Sequence, residues 1–253
     1  MSSLYPDKMA EIYDAMYQSF IDYNKEYTFY NTLLQKNSPE SILEIGSGTG
    51  NLAHYFIENK QNYTGLDYSK SMIAIAEKRN PSGRFIHGDM RDFNLEQKTD
   101  AIIITSRSTS YLITNNDIND TFKTLYNNLN SNGIIIFDFI DASRFIPYIR
   151  ENDTIVHSVL YKGVNYIRKS DWEISSQDNF ILEWTAKYYE AEDSNIIAND
   201  YATVRVFTLH EMQLFLYLNH FEILQTIDRK TYAYDTYVIV AKKKNPEHRL
   251  RIF

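Results

Sequence analysis

The segment Glu44-Ile45-Gly46-Ser47-Gly48-Thr49-Gly50 closes one apolar run and opens an amphipathic one. Three glycines at alternate positions allow a sharp turn and a close approach of backbone to ligand. Ser41–Ile45 ahead of them reads as a strand, and Gly50–Asn59 behind them as a helix. The alternation then continues. Tyr63–Leu66 reads as a strand. Ser69 caps a helix through Arg79, with Met72, Ile75 and Ala76 on one face and Pro81 beyond its end. Arg84–His87 is a short strand, and Ala101–Thr105 a strand apolar enough to be covered on both faces. Asp117–Leu129 is a helix with Phe122, Leu125, Tyr126 and Leu129 inward, and Asn132-Gly133 turns into a strand over Ile134–Ile140. Such a repeat specifies an α/β, doubly wound, mainly parallel sheet.

The flanks follow other rules. Pro6 suits a first helical turn, and Met9, Ile12, Tyr13, Met16, Tyr17 and Phe20 then form one helical stripe. A second helix is expected over Glu26–Lys36, with Tyr30, Leu33 and Leu34 inward, ended by Ser38-Pro39. After residue 140, strand-like segments follow one another at 154–160, 164–174, 179–190 and 200–207. Lys162-Gly163 and Gln177-Asp178-Asn179 read as hairpin turns, so this stretch is an antiparallel insert. A helix at Leu209–Leu218 and strands at Glu222–Asp228 and Thr236–Lys242 resume the core. The expected organisation is an N-terminal helical segment (1–37) over the active site, a ligand-binding core (38–140 and 208–245), and a β-rich lid or dimerisation insert (141–207).

Charge and composition narrow the function. Twenty-six basic against 33 acidic residues give a net charge of −7, the wrong sign for a nucleic-acid binder. The run Lys242-Lys243-Lys244 is expected to be a solvated chain end. The chain has no cysteine, which excludes disulfides and thiol chemistry. No apolar run is long enough for a membrane span, and the N-terminus lacks secretory features. These features lead to the expectation of a cytoplasmic protein with a small-molecule partner, no nucleic acid and no membrane. The six histidines show no spacing with carboxylates that argues for a metal.

The glycine loop admits three readings. It is a bare turn, a dinucleotide site, or a site for another nucleotide-like cofactor. Asp67 ends the next strand, 67 − 46 = 21 residues after the first glycine, where an acid accepts from both ribose hydroxyls. A dinucleotide site wants G-x-G-x-x-G, whereas this loop is G-x-G-x-G preceded by Glu44. An acid there opposes a pyrophosphate and suits a sulfonium and an ammonium group, favouring S-adenosylmethionine over NAD.

Residues 41–140 resemble a class I S-adenosylmethionine-dependent methyltransferase. The resemblance is carried by LEIGSGTG (43–50), GLDYS (65–69) and HGDMRDF (87–93). With IYDAMYQ (12–18) and the β insert, the chain further resembles sugar N-methyltransferases acting on nucleotide-linked amino sugars, and more distantly the glycine and sarcosine N-methyltransferases. The resemblance implies a Rossmann-like seven-stranded sheet with an antiparallel insert after the fifth strand. It implies S-adenosyl-L-methionine as cofactor and S-adenosyl-L-homocysteine as product. Gly46, Gly48 and Gly50 would line the methionine and ribose part, and Asp67 the ribose hydroxyls. Tyr68 and Met72 would lie by the adenine face. Asp89 would accept from the adenine amino group, with Met90 on the ring. Thr105 and Ser106 would flank the methionine moiety, with Tyr13 reaching over the site. In two places the chain departs from the family. Ser131-Asn132-Gly133 replaces a proline-glycine turn, and Tyr111 stands where the sugar enzymes carry a nearby histidine proposed as base.

Methyl transfer from a sulfonium is an in-line displacement, so the protein mainly positions the acceptor and keeps the site dry. Tyr111, Arg107 and Tyr13 are the candidate catalytic residues: Tyr111 to orient, Arg107 to bind an acidic group, Tyr13 to cover. His54 is expected to pack, and His157 and His210 to face solvent. Tyr166, Arg168, Ser170 and Trp172 share one strand face, fitted to a base, sugar and phosphates or to a homodimer interface. Three functions are compatible: N-methylation of an amine such as an amino sugar, O-methylation of a carboxylate or hydroxyl, and cofactor binding without catalysis.

Overall fold

The computed structural model describes residues 7–152, 154–178, 180–191, 195–231 and 235–245; Pro6 and Asn179, named above, lie outside them. Two helices come first, α1 (Asp7–Phe20) and α2 (Tyr23–Gln35). They are followed by β1 (Ile42–Ile45), α3 (Asn51–Glu58), β2 (Tyr63–Asp67), α4 (Lys70–Arg79), β3 (Arg84–His87) and β4 (Thr99–Ile104). A 3-10 turn (Ser108–Tyr111), α5 (Asn115–Asn128) and β5 (Leu129–Asp138) complete the alternating region. Then come α6 (Ala142–Glu151), β6 (Thr154–Tyr161), β7 (Val164–Ile174), β8 (Ile181–Glu190) and β9 (Ile196–Arg205). The chain closes with α7 (Leu209–Leu218), β10 (Phe221–Arg229) and β11 (Thr236–Lys243).

The strands form a seven-stranded sheet in the order β10-β11-β5-β4-β1-β2-β3 and a four-stranded sheet in the order β6-β7-β8-β9. β1 to β5 pair in parallel, and β11 runs antiparallel to both β5 and β10. Successive side chains of the central strands point to opposite faces, and both faces are buried. Leu43, Ile45, Ile102, Ile104, Ile135 and Phe137 pack beneath Phe122, Leu125, Met212 and Leu216 of α5 and α7. Ile42, Ala101, Ile103, Ile134 and Ile136 pack against Leu33, Leu34, Ala53 and Phe56 of α2 and α3.

The second sheet is the antiparallel insert expected after the fifth strand. Lys162 and Gly163, both at positive φ (48° and 82°), make its first hairpin turn. Its inner face carries Leu182, Trp184, Ala186, Tyr188, Ala202 and Val204, which pack against Met9 and Ile12 of α1 and Phe145 and Ile149 of α6. No helix was expected at α6. It opens on Asp141, whose side chain accepts from Ser143 N, and carries Pro147 within it, a residue that removes a backbone donor. α5 begins at Asn115 because Thr114 and Asp117 form a reciprocal capping box. β5 extends back to Leu129 across a bulge: its pairing with β4 jumps from Thr99–Leu129 to Ala101–Ile134, with Asn132 at φ 65° between.

The lysine run is not a solvated end. Lys243 is buried, and its Nζ donates to the carbonyls of Tyr126 and Leu129 at 2.7 Å. Among the described residues no helix is long and apolar enough to cross a membrane.

Candidate active site

The strand order reverses between β1 and β4, and a crevice outside the carboxyl ends of such strands is where open α/β sheets bind ligands. The glycine loop leaves β1 at this point. Gly46 N and Ser47 N donate to Leu66 O (2.8 and 3.1 Å), fixing the loop over the end of β2. At Gly46 (φ 75°) an added Cβ would sit 2.2 Å from Ser108 Oγ, and at Gly50 (φ 75°) 2.7 Å from Asn80 Nδ2. These two glycines are required by packing as well as by φ. Gly48 differs: it has φ 53°, and no atom lies within 4 Å of an added Cβ. Its N–H donates to Asp67 Oδ2 and Ser69 N donates to Oδ1, each at 2.8 Å. The carboxylate is therefore aimed across the loop from the tip of β2. Burial raises the Asp67 pKa against the pull of those amides. Ser47 Oγ is buried without a hydrogen-bond partner among the described residues.

Glu44 has a different setting from the one the sequence suggested. Its carboxyl is buried, accepting from Thr105 Oγ1 at 2.7 Å and Tyr63 OH at 2.5 Å. It cross-links β1 to β2 and to the residue just beyond β4. Burial pushes its pKa up to about 7, against the two hydroxyl donors.

On the N-terminal side, Tyr13 is partly buried with Ala10, Met72 and Ile75, and stacks on Tyr17 with centroids 4.0 Å apart. Met72 is thus enclosed between α1 and α4, while Tyr68 is 53% exposed at the end of β2. Asp89 lies in the turn after β3. Arg91 holds its carboxylate through Nε (3.0 Å to Oδ1) and Nη2 (2.6 Å to Oδ2), and the Arg91 hydrogen bonds lower its pKa. Arg91 also reaches Asp117 at 2.9 Å, and Met90 packs on the α5 core.

Asp14 is the acid the sequence reading passed over. It is nearly buried on α1. Its Oδ1 accepts from Thr49 Oγ1 at 2.5 Å and Asn51 Nδ2 at 2.7 Å, and its Oδ2 from Gln18 Nε2 at 2.7 Å and Arg79 Nη2 at 2.6 Å. Arg79 also donates to Thr49 O. One carboxylate therefore ties α1 and α4 to the glycine loop. The signal in the sequence is an acid set into the apolar stripe between Tyr13 and Met16, where a charge needs a partner.

Beyond β4 the chain runs through Ser106 and Arg107, both in the left-handed region (φ 55° and 60°), into the 3-10 turn that ends on Tyr111. Arg107 is buried. Its N–H donates to Asp138 Oδ1 at 2.7 Å and its Nη2 to Thr231 Oγ1 at 2.5 Å. Burial raises the Asp138 pKa, opposed by the charges of Arg107 and Arg229. Tyr111 is 40% exposed.

The histidines divide. His54 lies between Asn80 and Glu58, and His210 is exposed as expected. His157 does not face solvent: it packs on Phe20 at 4.7 Å and meets Arg168 at 3.2 Å, and burial with that guanidinium pushes its pKa down to about 4. Arg205 joins the insert to the core through Glu211, Asn115 and Ile113 O. The described residues contain no group of three or more His, Asp or Glu placed to hold a metal.

A methyltransferase domain family model matches residues 42–133, the stretch from β1 to the bulge of β5. The putative methyltransferase YqeM of Bacillus subtilis (strain 168) is 30% identical over 193 residues, covering 73% of this chain and 75% of that one. The chain belongs to the class I S-adenosylmethionine-dependent methyltransferases. It is also 28% identical to the dTDP-3-amino-3,6-dideoxy-alpha-D-glucopyranose N,N-dimethyltransferase of Streptomyces fradiae over 137 residues, 53% of this chain and 54% of that one. The match thus spans about half the length of that relative. The crystal structure of the sugar N-methyltransferase KedS8 from Streptoalloteichus sp. superposes with a TM-score of 0.76 at 18% identity, covering 97% and 98% of the two chains, which shows a shared fold.

The residues present fit the family's cofactor. Gly48 leaves open space over the loop, Asp67 is pre-aimed with lone pairs to spare for hydroxyls, and Ser47 keeps an unsatisfied hydroxyl beside them.

Proposed function

We propose that this methyltransferase acts on a small-molecule amine, such as an amino sugar. The observation that carries the methyl-transfer part of this reading is the paired arrangement of Gly48 and Asp67 at the sheet's switch point, beneath α1 and beside a four-stranded insert. Support for the acceptor class comes from the Streptomyces fradiae relative, named for a dTDP-linked amino sugar. In this reading residues 1–37 cover the site, 38–140 and 208–245 form the cofactor-binding core, and 141–207 form the lid.

S-adenosylmethionine supplies, when bound, a methyl group already activated on a sulfonium. The chain's own contribution is placement and exclusion of water. Gly46, Gly48 and Gly50 supply backbone close enough to hold the methionine and ribose parts. Asp67 accepts from the ribose hydroxyls, and Tyr68, Asp89 and Met90 border the base. Glu44 and Thr105 stiffen the floor beneath the loop. Tyr13 and Met72, enclosed together, close the N-terminal side. Tyr111 orients the acceptor through its hydroxyl, which can both donate and accept a hydrogen bond. Arg107 is held by Asp138 and Thr231, and shapes the acceptor pocket from beneath. An amine nucleophile arriving neutral then needs no strong base from the protein.

The test is incubation of the protein with S-adenosylmethionine and a panel of dTDP-linked amino sugars, free amines, hydroxy compounds and carboxylates, read by mass spectrometry. Gain of one or two methyl groups on an amino compound is expected. Methylation confined to oxygen acceptors would overturn the amine assignment.

A further inference from the structure

Among the described residues, Ser106 and Arg107 are the one place where two adjacent non-glycine residues both take positive φ, 55° and 60°. Side chains avoid this region because Cβ crowds the following carbonyl oxygen. Such strain persists only where the surroundings over-determine it, and it gathers at functional sites. This corner follows directly on β4, beside the switch point of the sheet. Thr105 and Arg107 are buried, and Ser106 between them is exposed. The 3-10 turn that comes next ends on the half-exposed Tyr111. The turn also abuts the glycine loop, since Ser108 Oγ would stand 2.2 Å from a Cβ on Gly46.

The end of β5 holds the corner in place. Arg107 N donates to Asp138 Oδ1 at 2.7 Å, Thr109 Oγ1 to Asp138 O at 2.8 Å, and Ile140 N to Ser110 Oγ at 3.3 Å. On the β4 side, Ser108 N and Oγ both donate to Thr105 O, at 3.1 and 2.8 Å. Asp138 is thus used twice, through its carboxylate at the strained residue and through its carbonyl inside the turn. A buried charge is costly unless it is paired and hydrogen-bonded, and Asp138 is 3% exposed. The charges of Arg107 and Arg229 favour its ionised form against that burial. Arg229 is itself fixed: its Nη2 donates to Glu26 Oε1 at 2.7 Å, and its guanidinium lies 3.8 Å from the Phe29 ring centre. α2 and β10 therefore back the carboxylate that grips the corner. Buried as it is, Asp138 can act on the reaction only through what it holds.

We propose that Asp138 is a positioning residue for methyl transfer: by accepting from Arg107 N–H it holds the left-handed corner, and so sets the place of the turn that presents Tyr111 to the acceptor. This rests on the reading of Tyr111 as the residue that orients the acceptor.

Hydrogen exchange read by mass spectrometry tests the hold on the corner without any acceptor. In Asp138→Ala the segment 105–112 should exchange roughly tenfold faster than in the wild type, while α3 and α4 keep their rates. Turnover tests the positioning, with S-adenosylmethionine and the amine that the acceptor panel identifies. Asp138→Ala should lower kcat about fivefold, as a small misplacement does, with S-adenosylhomocysteine affinity little changed. Asp138→Asn keeps an oxygen for Arg107 N–H and should recover most of the loss. Combined with Tyr111→Phe, Asp138→Ala should slow the reaction no further than the slower single variant, because one residue acts through the other. Unchanged exchange over 105–112, unchanged kcat, affinity lost in parallel with turnover, or effects that multiply in the double variant would each overturn the proposal. Full turnover in Tyr111→Phe would instead overturn the reading on which it rests. If Asp138→Ala does not fold, Thr109→Val removes the bond to Asp138 O and takes its place in both measurements, with the same expectations. Should the panel yield no methylated compound, the amine reading fails, and the exchange rates still support or overturn the hold on the corner.

Discussion

Replacing Asp14 by Asn tests whether α1 is fastened to the glycine loop through one carboxylate. The amide keeps the shape but removes the charge and turns one acceptor into a donor. Thr49 and Asn51 donate to one oxygen, and Gln18 and Arg79 to the other. With its NH2 toward Gln18 and Arg79 the amide loses the Arg79 bond outright, and turned the other way it needs the Thr49 hydroxyl and the Asn51 amide to reverse and accept, so one to two of the four hydrogen bonds are lost and the rest are no longer charge-assisted. Hydrogen bonds to a charged group contribute about 1.5–3 kcal/mol each. Arg79 keeps 24% of its side-chain surface exposed, which discounts the charged one. A loss of about 2–3 kcal/mol is therefore expected. At this chain length that corresponds to a fall in Tm of roughly 4–12 °C, measured by calorimetry. S-adenosylhomocysteine affinity should fall as well, because the loop is held less often in its binding geometry. An Asp14→Asn variant with unchanged Tm and unchanged affinity would show that α1 does not hold the loop.

The remaining predictions concern the loop, its floor and the acceptor. Gly50→Ala should cost about 2–4 kcal/mol of stability, because φ is positive and the new methyl meets Asn80 and Ala76. Gly48→Ala should cost only about 1–2 kcal/mol from its positive φ, yet lose most of its S-adenosylhomocysteine affinity; equal behaviour of the two variants in denaturation and in binding would contradict the assignment of Gly48 to the ligand. Glu44 holds its proton more tightly folded than unfolded, since burial raises its pKa from 4.5 to about 7. Its carboxyl therefore opposes folding increasingly as pH rises through that window, by about 3 kcal/mol in full. Glu44→Gln should gain on the wild type by that order between pH 4.5 and 8 in urea titrations, and a pH-independent difference would count against it. Tyr111→Phe should lower turnover a few-fold with cofactor affinity unchanged; full turnover with unaltered acceptor KM would make it a packing group.

The core was legible because its constraint is periodic. Ala101–Ile104 must be apolar at every position to lie between two helical layers, and the Gly46–Gly50 turn carries its own φ requirement. The hairpin at Lys162-Gly163 was legible for the same reason. What stayed hidden depends on long-range partners. Asp14 looks like one more polar residue on a helix until Arg79, 65 positions away, meets it. Lys243 looks solvated until β11 places it under the carbonyls at the end of α5. His157 looks exposed on an alternating strand until α1 covers it with Phe20. α6 stayed hidden because Pro147 argues locally against a helix that Phe145 and Ile149 secure by packing on the insert.

Isothermal calorimetry with S-adenosylhomocysteine, and with NAD as comparison, tests the central claim most directly. The site built by Gly48 and Asp67 should bind one S-adenosylhomocysteine per chain, lose most of that affinity in Asp67→Ala, and show no heat with NAD. Binding of NAD without S-adenosylhomocysteine, or an Asp67→Ala variant that binds as the wild type does, would contradict it.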